Sequence, residues 1–162
     1  REVYTMRYSL IIRRATTEDA CAIKDIIDES FKKYMEIVGL TEKIEALKES
    51  VDDIKSDIET KEVYIALIDD VPVGTIRIQI LPDNTAYISR FGVRMEYNNM
   101  GVGKALMGLA DKVIKSHGVQ RAYLHTAAKH RDLVRFYYDR GFYIDSTTKD
   151  GGYVRALMVK EY

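Results

Sequence analysis

The feature that most constrains the fold is a strand that passes through a glycine-containing loop directly into a helix, within residues 87–110. The apolar strand ends at Phe91-Gly92-Val93, Gly101 and Gly103 lie in the loop, and an amphipathic helix follows. The first backbone N–H groups of a helix have no partner within it, and the helix dipole favours negative charge near them. Because glycine also lets a ligand approach the backbone closely, this segment predicts a site for a phosphate-bearing ligand.

Two common phosphate-binding loops are excluded by side chains in this segment. A dinucleotide-binding fingerprint would need a third glycine at Leu106. A Walker A loop would need glycine at Asn98 and a hydroxyl residue at Ala105. Since the loop has no obvious provision for a catalytic magnesium ion, nucleotide hydrolysis is disfavoured and a coenzyme held by its phosphates is the better interpretation.

Length and composition exclude several classes of protein. The chain has 162 residues, enough for one domain and too few for two well-formed cores. Its 25 basic and 25 acidic residues balance, which argues against a broad nucleic-acid-binding face. No apolar run approaches the ~20 residues that span a bilayer, and the single Cys21 cannot form an internal disulfide. We therefore expect one domain over residues 1–162, cytoplasmic, binding neither nucleic acid nor membrane, with residues 1–8 disordered or foreign to the native chain.

The apolar patterns predict a chain in which strands and helices are mixed. Strands are expected at residues 10–13, 63–68, 73–81, 85–94, 122–126, 142–147 and 153–159, and helices begin near Thr17, Thr41, Gly101 and His130. The second helix is expected to continue from its Thr41 cap to Ile58, because apolar residues recur there every three or four positions. The strand, helix, strand order from residues 85–94 to 122–126 predicts a right-handed crossover between parallel strands.

A second motif, Phe136-Tyr137-Tyr138-Asp139-Arg140-Gly141-Phe142, resembles the Phe-Tyr-x-x-x-Gly-Phe signature of the GCN5-related N-acetyltransferase (GNAT) superfamily. The glycine loop is similar to that family's Arg/Gln-x-x-Gly-x-Gly/Ala coenzyme A motif, and the two motifs stand in the family's order. The resemblance extends from Leu10 to the terminal hairpin. It implies a GNAT-like acyl-CoA N-acyltransferase fold of the α/β (α+β) class. Its mixed sheet of about seven strands, flanked by about four helices, splays between strands 85–94 and 122–126.

The resemblance also implies which residues contact the coenzyme. Acetyl-CoA is the expected co-substrate, and no metal is expected. Main-chain groups along the splayed strand and the glycine loop, together with the start of the last helix, would hold it: Phe91, Gly92, Val93, Asn98, Asn99, Met100, Gly101, Val102, Gly103, Lys104, His130 and Tyr137. Asn98 stands where the family has Arg or Gln, and His130 stands where it often has Asn. His130 could equally cap the helix that begins there.

The reaction implied by the resemblance is direct attack of an amine on the acetyl thioester. The Val93 N–H would polarise the thioester carbonyl, Tyr137 would protonate the leaving thiolate, and Gly92 is compatible with the strand bulge that the family shows. The strand at residues 85–94 contains no acid, so the base is undetermined. His125 is one candidate, and a purely structural histidine is the other interpretation.

The acceptor amine is left open by the sequence. Tyr34, Ser89 and His125 are candidate acceptor-side residues, and Glu29 and Glu36 could attract a cationic amine. A small amine, an amino-acid derivative, a polyamine and a peptide N-terminus all fit, and a homodimer is common for this fold. The alternative function is a non-catalytic acyl-CoA-binding sensor or interaction module, which the departures at positions 98 and 130 and the missing acid would explain.

Overall fold

The computed structural model describes residues 8–162, apart from the side chain of Asp150. Within these residues, seven strands form one mixed sheet in the order β1-β2-β3-β4-β5-β7-β6. The strands are β1 (Leu10–Arg14), β2 (Glu62–Ile68), β3 (Val71–Ile80), β4 (Thr85–Val93), β5 (Arg121–Ala127), β6 (Tyr143–Asp150) and β7 (Tyr153–Glu161). The mixed seven-stranded sheet confirms the predicted fold class. The terminus predicted over residues 1–8 lies outside the described residues except for Tyr8.

Five α-helices flank the sheet in the described part of the chain. They are α1 (Ala20–Val38), α2 (Glu45–Lys48), α3 (Val51–Thr60), α4 (Val102–Ser116) and α5 (Arg131–Asp139). Strand β2 shows how the two faces are used: Val63 and Ile65 pack with α1 and α3, whereas Tyr64 between them packs on the side of α4. None of the helices between residues 8 and 162 has both the length and the apolar character to cross a bilayer.

Strands β4 and β5 are parallel neighbours only at their first residues. Their pairing ends where Tyr87 lies opposite Tyr123. Beyond that point β4 continues to pair with β3 as far as Val93, and β5 continues to pair with β7 as far as Ala127. The two strands therefore diverge, and the predicted splay of the sheet is confirmed.

Strand β4 contains a bulge, but its centre is Arg90 and not Gly92. Thr75 lies opposite Gly92 and Arg77 lies opposite Ser89, so β4 has one residue more than β3 between these pairs. Arg90 has a φ of +50°, in the left-handed region that bulky residues rarely adopt. Gly92 lies outside that region, and a Cβ at this position would overlap the Ser30 Oγ of α1. The bulge expected near Gly92 therefore lies just before it, and glycine is needed at position 92 because α1 packs closely on β4.

The predicted second helix is two helices separated by Glu49 and Ser50. Both residues have extended backbone, and Ser50 forms a capping box with Asp53 at the start of α3. The Asp53 N–H donates to Ser50 Oγ at 3.1 Å, and the Ser50 N–H donates to the Asp53 carboxylate at 2.9 Å. The prediction of one helix capped by Thr41 was therefore wrong, because the apolar spacing continues across the break and conceals it.

The break turns Glu49 toward the sheet, where it joins a buried group of charges. The two oxygens of Glu49 accept hydrogen bonds from Arg77 of β3 at 2.6 Å each, and Arg77 also donates to Asp57 of α3 at 2.8 Å. Arg77 is 1% exposed. Lys24 of α1 donates to the Glu49 carbonyl at 2.7 Å. These bonds fix the joint between α2 and α3 to the centre of the sheet.

The capping box leads to a stability prediction. Ser50→Ala removes the acceptor for the Asp53 N–H, and we expect the free energy of unfolding to fall by about 1 kcal/mol. Thr41→Ala is the matched control and should change it by less than about 0.5 kcal/mol, because Thr41 is exposed and precedes α2 without capping it. Urea unfolding followed by circular dichroism measures both values. A larger loss at Thr41 than at Ser50 would contradict the observed break.

Candidate active site

The gap between β4 and β5 opens into a cleft of about 680 Å³. Its walls come from α1, α2 and the segment before it, both diverging strands, the start of α4, α5 and the start of β7. Of the residues predicted from the sequence, those that line it are Tyr34, Ser89, Phe91, Gly92, Val93, Asn98, Gly103, His130, Tyr137 and His125. The fold therefore brings both predicted catalytic groups and all three predicted acceptor-side residues to one cavity.

The glycine loop contributes backbone rather than side chains. Gly101 precedes α4 with a φ of +78°, and the Ala105 N–H bonds to the Gly101 carbonyl at 3.0 Å. The N–H groups of residues 102–104 lie ahead of that first bond and point out of the helix end. Of the predicted loop residues outside the cleft lining, Val102 is buried in the core, Met100 packs against it, and Asn99, Gly101 and Lys104 are exposed.

Close packing explains the second glycine of the loop. A Cβ at Gly103 would lie 3.3 Å from Phe91 Cζ, so glycine allows the start of α4 to approach β4. The open amide groups and this close approach fit a pyrophosphate bound at the helix end with its chain entering the gap.

The Val93 N–H points toward the gap. The Arg94 N–H donates to the Val73 carbonyl of β3 at 2.8 Å. Because successive N–H groups of a strand point in opposite directions, the preceding N–H, that of Val93, is directed away from β3. Strand β5 no longer pairs with β4 at this level. A backbone donor is thus presented to whatever occupies the cleft.

Tyr137 lies on α5 and is 5% exposed. Aromatic rings surround it, with centroid distances of 6.2, 5.7 and 6.1 Å to Phe91, Phe136 and Phe142. Burial raises the pKa of the Tyr137 phenol, and the neighbouring phenols of Tyr34 and Tyr87 raise this pKa further. The hydroxyl therefore stays protonated throughout the neutral range.

His130 caps the helix that carries Tyr137. Its Nδ1 accepts a hydrogen bond from the Leu133 N–H at 3.3 Å, and its ring stacks on Tyr34 at a centroid distance of 5.8 Å. Burial lowers the pKa of His130, which favours the neutral ring that this bond requires. The capping interpretation of His130 is therefore confirmed.

Two tyrosine contacts hold the sides of the cleft. The Tyr87 hydroxyl and His125 Nδ1 are 2.7 Å apart, which links β4 to β5 where their backbones separate. The Tyr34 hydroxyl accepts a hydrogen bond from the Ala127 N–H at 2.7 Å, which links α1 to the end of β5. Burial raises the pKa of Tyr34 and that of Tyr87. These contacts hold the end of the cleft at which the acceptor is expected.

Some residues at this end were not anticipated from the sequence, and two anticipated acids are elsewhere. Tyr153 and Arg155 of β7 line the cleft, because Arg155 lies opposite Ala127 of β5. The pairing register of β7 is the signal that locates them, and spacing along the chain does not provide it. Glu29 instead accepts from the Met95 N–H at 2.8 Å, and Glu36 pairs with Lys33 at 3.4 Å. Neither acid lines the cleft, which corrects their suggested role.

Comparison with known proteins establishes the family. Residues 23–142 match the model of the acetyltransferase (GNAT) family. The chain belongs to the GNAT family. The spermidine N(1)-acetyltransferase of Thermoplasma acidophilum is 26% identical over 164 residues, which cover 95% of this GNAT chain and 98% of that protein. The predicted family is confirmed.

Solved structures show the same GNAT fold. The PaiA N-acetyltransferase of Thermoplasma acidophilum, in complex with coenzyme A, has a TM-score of 0.82 and 25% identity, covering 95% of this chain and 99% of that one. The ribosomal-protein-S18-alanine N-acetyltransferase of Escherichia coli has a TM-score of 0.76 and 18% identity, with 94% of each chain covered. At this level of identity the likeness concerns the fold and not the substrate.

The helix cap leads to a pH prediction. Because the folded-state pKa of His130 is lowered, its contribution to stability is present above about pH 6.5 and is lost as the pH falls through the lower folded value. His130→Asn keeps a capping acceptor without a titrating ring. We expect the melting temperature of the wild type to fall more between pH 7.5 and pH 5 than that of the variant. Parallel melting profiles would contradict the capping role.

Proposed function

We propose that this protein transfers the acetyl group of acetyl-CoA to an amine by direct attack, without a covalent acyl-enzyme. The observation that carries the proposal is the divergence of β4 from β5 after Tyr87, which leaves the Val93 N–H directed into a cleft that Tyr137 also lines. A backbone donor can stabilise the oxyanion of acyl transfer from a thioester, and a buried phenol can protonate the leaving thiolate.

The coenzyme has defined partners along this cleft. The N–H groups of residues 102–104 would hold its pyrophosphate. The unpaired backbone edges of β4 and β5 would bond to the amides of its pantetheine arm, in the manner of an added strand. Asn98 lines the cleft at the loop and offers a shorter side chain than the family's Arg or Gln.

Each step of the proposed reaction has a group in place. The nitrogen lone pair of the acceptor attacks the carbonyl carbon, and the Val93 N–H stabilises the negative charge that develops on the carbonyl oxygen. The carbon–sulfur bond then breaks, and Tyr137 gives its proton to the departing sulfur. The attacking nitrogen must be unprotonated, and the hydrogen-bonded pair of Tyr87 and His125 is the proposed route for its proton.

The choice of acceptors to test follows from the relatives. Spermidine is one of the first candidates, because the Thermoplasma acidophilum relative is named as a spermidine N(1)-acetyltransferase. An amino-acid derivative, a peptide N-terminus and a simple primary amine complete the panel. Release of free thiol from acetyl-CoA in the presence of each amine measures transfer. If acetyl-CoA raises the melting temperature but no amine stimulates thiol release, the protein is instead a coenzyme-binding sensor.

Removal of the Tyr137 hydroxyl tests the proposed acid. Tyr137→Phe should lower kcat by about 100- to 10,000-fold and change coenzyme affinity little. Since the pKa of Tyr137 is raised, the ratio of wild-type kcat to variant kcat should be constant from pH 6.5 to pH 9.5. Tyr138→Phe is the matched control, because Tyr138 is 49% exposed on the same helix. Equal kcat values for Tyr137→Phe and the wild type would exclude the acid role.

A further inference from the structure

We propose that the acceptor amine also carries an anionic group, a carboxylate or a phosphate, which Arg155 and Arg90 bind at the acceptor end of the cleft. This inference rests on the proposed acetyl transfer and specifies its substrate class. It starts from the positive charges of Arg155 and Arg90, which line the cleft and act on Tyr87.

Arg155 places a positive charge on the wall of the cleft. It is half-buried on β7 and lines the cavity beside the end of β5. Among the side chains that the structure describes, no carboxylate forms an ion pair with it. Its positive charge lowers the pKa of the Tyr87 hydroxyl and so opposes the increase that burial causes. A half-buried guanidinium in this position is suited to bind an anion.

Arg90 supplies a second, incompletely compensated charge. Its Nε is buried without a hydrogen-bond partner and lies 3.6 Å from Glu49 Oε2. Both oxygens of Glu49 are already held by Arg77 at 2.6 Å. Arg90 also keeps its unfavourable positive φ at the bulge, a conformation that persists only where the surrounding structure enforces it. The bulge thus directs a guanidinium into the cleft near Tyr87.

The cleft as a whole presents more basic than acidic side chains. The basic ones are Lys33, Lys43, Lys48, Arg90 and Arg155, and the acidic ones are Glu42, Glu45 and Asp132. Glu45 is 84% exposed and pairs with Lys48, and Asp132 lies in the first turn of α5. Among the described residues, the cleft lining thus holds five basic and three acidic side chains, so a second ammonium group would meet more positive than negative charge. A polyamine would place its remaining positive charges toward arginine, a repulsion that selects against it.

Pairs of acceptors that differ only in the anion provide the test. The panel is β-alanine with β-alaninamide, phosphoethanolamine with ethanolamine, and spermidine, each assayed by thiol release from acetyl-CoA. We expect kcat/KM to be at least about tenfold higher for an anionic member than for its neutral partner, since a charge-assisted bond contributes about 1.5–3 kcal/mol. The pair that shows the difference identifies the anion as a carboxylate or a phosphate.

Variants assign the selectivity to the arginine. Arg155→Gln should lower kcat/KM for the preferred anionic acceptor by about 10- to 100-fold and that for its neutral partner by less than about threefold. Arg155→Lys should retain part of the preference for the anionic acceptor over its neutral partner. Arg135→Gln is the matched control, because Arg135 is exposed on α5 and outside the cleft. Stabilisation by acetyl-CoA shows that each variant is folded.

The outcomes separate this inference from the proposed function. Efficient transfer to spermidine or to the neutral amines, unaffected by Arg155→Gln, would support acetyl transfer and overturn the anionic acceptor. If no amine is acetylated, the proposed function fails, and calorimetry of the same acceptors with coenzyme A present decides the inference. Anion-selective binding that Arg155→Gln abolishes would support it, and equal or absent binding would overturn it.

Discussion

The separation of β4 from β5 is the constraint on which the rest of the structure depends. A parallel pair that ends after three residues leaves backbone donors and acceptors without strand partners, and buried groups of this kind are costly unless another molecule satisfies them. Side chains fix the walls of the gap: Tyr87 of β4 bonds to His125 of β5, and Tyr34 of α1 accepts a hydrogen bond from the Ala127 N–H of β5. The cleft is therefore a defined gap in a sheet.

The acceptor side is held by buried charge as well as by apolar packing. Arg77 joins β3 to Glu49 and Asp57, and so positions the joint between α2 and α3 over the bulge at Arg90. Breaking a buried pair of this kind by removing one partner costs about 3–5 kcal/mol. The same carboxylate that stabilises Arg77 lies beside Arg90, so the fold's internal ion pairs determine how much positive charge the cleft presents.

The sequence predicts the part of this molecule that local chemistry determines. The succession of strands and helices along the chain, the parallel crossover, the start of α4 and the motif around Tyr137 follow from apolar periodicity, glycine positions and family motifs. The break at Glu49 and Ser50 was missed because the apolar spacing runs through it, although Ser50 and Asp53 form a recognisable capping pair. Arg155 was missed because only the register of β7 against β5 brings it to the cleft. Long-range pairing is the information that a single sequence does not supply.

The contact between α1 and Gly92 has a consequence for the energy of the proposed reaction. Helix α1 lies so close to β4 that no side chain fits at this position, and the residue that follows is Val93. A backbone amide fixed in this way does not have to reorient when negative charge develops beside it. Water molecules would have to reorient to stabilise that charge, whereas this amide is already oriented before the proposed reaction begins. Ser30, far from Val93 in the chain, would thus help to fix the amide that the proposed reaction uses.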